Sequence, residues 1–178
     1  YRTAQSGNYD IYVVFVERGL SLLNKGGQLG FILPHKFFNA QYGELLRGLI
    51  AKGKHLTEIV HFGHQQVFAG ASTYTCLMFL DRTARDTFRF AKVDDLDQWR
   101  RVGTGDESEM PVTRVNSAEW AFSAGKGGTL LEKLGRITPK LEDVTDRIFQ
   151  GLKTSADKIY IMEEKERRKD CVRIFSPE

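Results

Sequence analysis

The sequence predicts an α/β domain, and three observations support it. The first eighty residues alternate helix-period stretches with short strand-like apolar runs. Glycine, proline and asparagine fall where those runs must stop. The composition, 41% hydrophobic and 11% aromatic with 28% charged residues over 178 positions, suits a folded chain with its own core and excludes disorder.

Each element follows from local chemistry. From Asp10 to Leu23, helical spacing puts Ile11, Val14, Phe15 and Leu22 on one face, with Tyr12, Val16 and Leu23 beside it. Asn24-Lys25-Gly26-Gly27 ends that helix, because glycine adopts the left-handed position after a helix at little cost. Gln28–Leu33, closed by Pro34, reads as a buried strand. Asn39 is placed to cap a second helix running to Lys52, with Leu45, Leu46, Leu49 and Ile50 inward and Gly53 as its stop. Strands follow at Leu56–Phe62 and Thr73–Leu80. The loop between them is too short for a helical crossover, so they are expected to pair antiparallel.

Beyond Asp81 the texture changes. Thr87–Val93 reads as an edge strand, Asp94–Arg101 as a short acidic helix, Gly103–Glu109 as an exposed loop and Val112–Val115 as a strand. Gly128–Leu134 reads as a helix, and Val144–Phe149 and Lys158–Met162 as strands around a polar turn. The glycines at 125–128 suggest a joint, which divides the chain into 1–127 and 128–178.

Several function classes lose support. The most apolar stretches, around Ile11–Leu23 and Thr73–Leu80, are interrupted by charge or too short to cross a bilayer. Cys76 and Cys171 form no CxxC pair and read as reduced thiols of a cytoplasmic protein. The net charge of +3 is too small to imply nucleic acid by itself. The chain opens on Tyr1 and closes just after Cys171–Phe175, and both ends read as cut from something longer.

The glycines of Gly26–Gly30 follow a helix and open a strand, the reverse of a phosphate loop, so they read as a tight turn. His61 and His64 form an HxxH, but a metal would need Cys76 or Asp81 to converge on them, and no metal is expected. Asp94, Asp95 and Asp97 read as acids favouring a helix start. Phe68, in the loop between the second and third strands, reads on its own as an anchor packed on the core.

Taken in order, these segments carry a resemblance. Asn8-Tyr9-Asp10 through Leu20, then Gly26–Phe37 with Pro34-His35-Lys36, His61-Phe62-Gly63, Gln66-Val67-Phe68 and Ala71–Thr75 are similar to the second half of the catalytic domain of N6-adenine DNA methyltransferases. Those of fused type IIG restriction–modification enzymes and phage-defence systems are nearest in pattern. The resemblance spans about residues 8–80, with a weaker echo at Arg147–Lys158 of the family's target-recognition domain.

The resemblance implies a Rossmann-like, S-adenosylmethionine-dependent domain with an antiparallel last strand, followed by the start of a mixed α+β recognition domain. Its partner would be double-stranded DNA. Phe68 matches the aromatic that stacks on the flipped adenine, and Phe15 a position lining the cofactor's adenine pocket. Lys36, Gln150, Lys153, Thr154 and Lys158 would contact DNA. The family's Asn-Pro-Pro-Tyr tetrapeptide and glycine-containing cofactor loop do not occur in these 178 residues. No catalytic residue of that motif is therefore expected here, and the chain alone is expected to be inactive. A non-enzymatic DNA-binding or specificity module, drawing on residues 130–178, is the alternative reading.

Overall fold

A computed structural model describes the chain except for Ser6, Ser72 and residues 124–132, 135, 148–162, 169–170 and 176–178. The chain divides into two compact units, Tyr1–Arg136 and Ile137–Glu178. In the first, helices α1 (Tyr12–Leu22), α2 (Glu44–Gly53) and α3 (Leu96–Val102) accompany strands β1 (Gln28–Pro34), β2 (Leu56–His61), β3 (Thr75–Asp81), β4 (Thr87–Lys92) and β5 (Asp106–Pro111). The strands form one mixed sheet in the order β1-β3-β2-β4-β5. β3 runs antiparallel to both β1 and β2, β4 parallel to β2, and β5 antiparallel to β4. β1, β2 and β4 therefore all point the same way, and Pro34, His61 and Lys92 end at one edge. That edge is where an α/β sheet presents its ligands.

The core explains the helices. Leu33, Ile59, Cys76, Met78, Leu80, Phe88 and Phe90 are buried on one sheet face together with Val13, Val16 and Leu20 of α1 and Leu46 and Ile50 of α2. Each such side chain, fully removed from water, contributes about 1.5–3 kcal/mol. Gly19 lets α1 lie close on β1, since a Cβ there would meet Leu29 at 2.9 Å. Phe37, Phe38, Trp120 and Phe122 close the cluster edge to face, and Trp120 donates its backbone N–H to the Phe38 carbonyl at 2.9 Å. On the other face a smaller cluster of Val60, Phe62, Ala91 and Val93 meets Leu96 and Trp99 of α3. The Asp95 carboxylate caps α3 by accepting from the Gln98 N–H at 2.8 Å.

Several expectations are corrected. α1 buries Val13, Val16 and Leu20, and leaves Ile11, Phe15 and Leu22 exposed. This helix is apolar on almost every side, so periodicity alone does not choose the buried face. β1 is the open edge of the sheet and only half buried, because β3 covers one side of it and α1 one face. α2 starts at Glu44 after a 3-10 turn, with Gly43 rather than Asn39 as its cap. Leu45 points outward, and Lys54 takes the left-handed position beyond Gly53.

β4 is interior, because Asp106–Pro111 is a strand pairing with it and not an exposed loop. An edge strand tolerates acids on its solvent side. Here Glu109 accepts from the Thr87 hydroxyl at 2.5 Å, and Glu107 lies 3.6 Å from Arg89. Val112–Arg114 is a 3-10 turn, not a strand, with Val112 and Val115 packed into the core. The antiparallel pairing of β2 with β3 and the glycine turn between α1 and β1, with Gly26 at positive φ, match expectation.

The second unit contains a 3-10 turn at Leu141–Asp143 and an antiparallel hairpin of β6 (Glu163–Arg168) and β7 (Cys171–Phe175). The expected helix at Gly128–Leu134 and strand at Lys158–Met162 lie wholly or largely outside the described residues, as does the end of Val144–Phe149. Its described part, Val144–Arg147, is not strand. Among the described residues no helix is long and apolar enough to cross a membrane.

Candidate functional site

An open cleft of about 660 Å³ lies where β1 ends, lined by Asp10, Pro34, His35, Lys36, Asn39 and Tyr74 among others. Pro34 ends β1 with extended backbone, and the chain turns at once into a 3-10 helix over His35–Phe38. Phe37 and Phe38 go into the core, which sends His35, Lys36 and Asn39 to the surface side. Arg47 fixes this segment from α2, donating to the carbonyls of Phe37 at 2.6 Å, Ala40 at 2.9 Å and Ser117 at 2.9 Å. The cleft thus combines aromatic surface, one ammonium group and one carboxylate on a braced backbone.

Its neighbour is the loop joining β2 to β3. Phe68 sits there 50% exposed, at the open end of the antiparallel pair and outside the core. Lys36 is exposed at the cleft, and no carboxylate pairs with it among the described residues. Phe15 is 55% exposed on α1, in line with Ile11 and Leu22. Gln150, Lys153, Thr154 and Lys158 lie outside the described residues.

Aromatic rings gather at the strand ends. His35 and His61 have centroids 4.3 Å apart, His35 runs nearly parallel to Tyr74 at 6.3 Å, and His64 meets Tyr74 edge-on at 5.3 Å. Nδ1 of His61 accepts the Gly63 N–H at 3.0 Å, so the neutral ring carries its proton on Nε2. Asp81 lies at the far end of β3, held by Arg85 at 2.7 Å, and Cys76 is buried in the core. Asp81 does not reach the HxxH pair, and Cys76, which stands opposite His61 in the β2–β3 register, is closed into the core. Among the described residues no three His, Cys, Asp or Glu side chains gather as a metal centre requires.

Burial, helped by His35, His64 and Lys92, pushes His61 from its ordinary 6.5 down to about 4. The unfolded chain therefore binds a proton at a pH where the folded chain does not. The stability tied to neutral His61 is whole above about pH 6.5 and is lost as pH falls towards 4. Denaturant melts should show a loss of up to about 1 kcal/mol per pH unit in that window, allowing for solvent screening. His61→Asn keeps an acceptor for Gly63 without a titrating ring and should flatten the slope.

A second hollow of about 380 Å³ lies by Arg85, Arg89 and Glu107. Its arginines already face carboxylates, Arg85 on Asp81 and Arg89 on Glu58 at 2.6 Å, so it is the poorer candidate for a charged ligand. Sequence reasoning missed Tyr74 and Asn39 as cleft residues. Only the β1–β3 register, which opposes Pro34 to Thr75, brings Tyr74 beside His35.

Residues 1–68 match the family described as Eco57I restriction-modification methylase. The chain is 33% identical over 172 residues to the type II restriction enzyme and methyltransferase RM.Eco57I of Escherichia coli, a match covering 92% of this chain and 17% of that protein. It is 29% identical over 178 residues to the type II methyltransferase M.PaeR7I of Pseudomonas aeruginosa, covering 90% of this chain and 31% of that one. Among solved structures, the type IIG restriction endonuclease BpuSI shares the fold with a TM-score of 0.53 at 14% identity, over 92% of this chain and 22% of that chain. The chain thus spans less than a third of the length of these curated relatives.

Proposed function

From the premise that this chain is a relative of the Eco57I restriction-modification methylases and the type II methyltransferases, we propose that it is part of a site-specific DNA methyltransferase. The full enzyme would carry a methyl group from S-adenosylmethionine to adenine N6 in duplex DNA, within a restriction–modification or phage-defence system. The observation that carries this reading is the place of Phe68. It stands half exposed on the β2–β3 loop, which leaves the sheet at the edge where β1, β2 and β4 end and whose Thr73 and Tyr74 line the open cleft.

The chemistry calls for such a surface. The adenine amino lone pair is delocalised into the ring, so the base must be held in line with the methyl donor. To get there it must leave the duplex and be clamped against an aromatic face. Phe68 would be that face, and Lys36 at the cleft would take a phosphate. S-adenosylmethionine supplies an electrophilic sulfonium methyl when bound. Phe15, exposed on α1, would offer an aromatic surface for the cofactor's adenine.

In this reading, residues 1–127 are the C-terminal part of a Rossmann-like catalytic domain and residues 128–178 begin a recognition domain. Gln150, Lys153, Thr154 and Lys158 would meet DNA there. The open edge of β1, the exposed Ile11 and Leu22 at the two ends of α1, and exposed Ile32 and Phe79 support it. They are what half of a larger α/β sheet would leave for the other half. Labelled methyl transfer from S-adenosylmethionine by the intact enzyme, with duplex DNA, RNA and protein as separate acceptors, tests the reading. Label should enter DNA alone. DNA binding without any transfer would favour a binding module, and label in RNA or protein would replace the proposed substrate.

A further inference from the structure

We propose that His35 is a positioning residue that clasps both ends of the β2–β3 loop and so fixes where Phe68 stands. The clasp itself is a matter of geometry; its consequence for catalysis rests on the methyltransferase reading above. The loop leaves β2 after His61 and enters β3 at Thr75. His35 reaches it at both ends. Its Nε2 lies 3.3 Å from the Gly63 carbonyl oxygen, which can only accept, so the neutral ring carries its proton there. Its backbone N–H donates to the Tyr74 carbonyl at 3.2 Å. Among the described residues, these are the hydrogen bonds that cross from the loop to the end of β1.

The surroundings make the clasp stiff. The His35 ring packs against His61 at 4.3 Å and nearly parallel to Tyr74, while Phe38 touches both histidines. Gly63 is held from its other side by His61 Nδ1, and it adopts a positive φ of 57° that favours glycine. Gln65 ties the next turn to the far side of the sheet, donating to the Val93 carbonyl at 2.6 Å and accepting from the Leu96 N–H at 2.8 Å. Beyond Gln65, the loop's hydrogen bonds up to Ala71 are internal: Gln66 to the Ala71 carbonyl, and Ala71 to the Phe68 carbonyl. Val67, next to Phe68, packs against the Val60, Phe62, Ala91 and Val93 cluster on the far side of the sheet. The tip thus takes its position from that contact and from the stem, and on the β1 side His35 holds the stem.

A stacking ring works only if held within about 0.5 Å of its productive place, so a loosened stem should cost turnover more than DNA affinity. The test compares His35→Ala with His35→Gln in the intact enzyme. The glutamine amide nitrogen can reach where Nε2 stands, keeping the donor without the ring. In His35→Ala the amides of Gly63 and Gln65 should exchange with solvent about fivefold faster, the worth of one lost hydrogen bond, with α2 and β3 unchanged. The kcat should fall about tenfold while the KM for DNA stays within about twofold. His35→Gln should recover most of both effects.

Unchanged loop exchange in His35→Ala, or a glutamine variant no better than alanine, would overturn the proposal. If the wild-type enzyme transfers no methyl group, the functional reading falls and the exchange comparison alone decides the clasp.

Discussion

Phe68→Ala in the intact enzyme is expected to lower methyl transfer by about one to two orders of magnitude, the range a base–aromatic contact supplies. Phe68→Trp should retain most of the activity, because an indole offers the flipped base a face at least as large. Thermal stability should barely move in either variant, within about 0.5 kcal/mol, since the ring is half exposed and outside both core clusters. Single-turnover rates with a saturating duplex separate the chemical step from binding. Equal losses in the two variants would remove the stacking role and return Phe68 to an ordinary loop aromatic.

The largest effect on stability is expected at Arg47. Arg47 is buried behind the segment that follows β1, and its guanidinium satisfies three backbone carbonyls from two separate segments. Burial lowers its pKa, and the negative charges of Glu119 and Glu44 oppose that shift. Arg47→Leu keeps apolar bulk but leaves the carbonyls of Phe37, Ala40 and Ser117 without a donor, at about 1–3 kcal/mol for each group that stays dry. A loss of about 3 kcal/mol or more should appear as a lower urea midpoint at unchanged slope. Because Phe37 follows Lys36 and Ala40 follows Asn39 in the chain, the variant should also weaken DNA binding. A midpoint like that of the wild type would mean that water reaches those carbonyls.

The parts of the fold legible in the sequence are those where local and tertiary demands agree. β2 and β3 are short apolar runs joined by a loop too short for a crossover, and they pair antiparallel as that length dictates. α1 was legible as a helix but not in its facing, because Ile11, Phe15 and Leu22 match the buried residues in apolarity and only the packing on β1 separates them. β5 was illegible because four acidic or hydroxyl residues precede its one buried side chain, Met110, and their partners Thr87 and Arg89 sit about twenty residues away.

The site divides in the same way. Phe68 gained a role only through the order of neighbouring motifs, since a lone loop aromatic is more often a core anchor. The His35 clasp could not be read at all. It depends on the register that sets Pro34 against Thr75 and on the turn at Gly63, neither of which leaves a mark at His35 itself. Arg47 was hidden for a related reason: on an exposed helix face it would look the same in sequence as it does buried against three carbonyls.

The most direct test is nucleoside mass spectrometry of DNA from a host without adenine methylation that expresses the intact enzyme, in wild-type and Phe68→Ala forms. The account predicts N6-methyldeoxyadenosine with the wild type and a large drop with the variant. Methylated cytosine in its place, or equal N6-methyldeoxyadenosine from both forms, would contradict it.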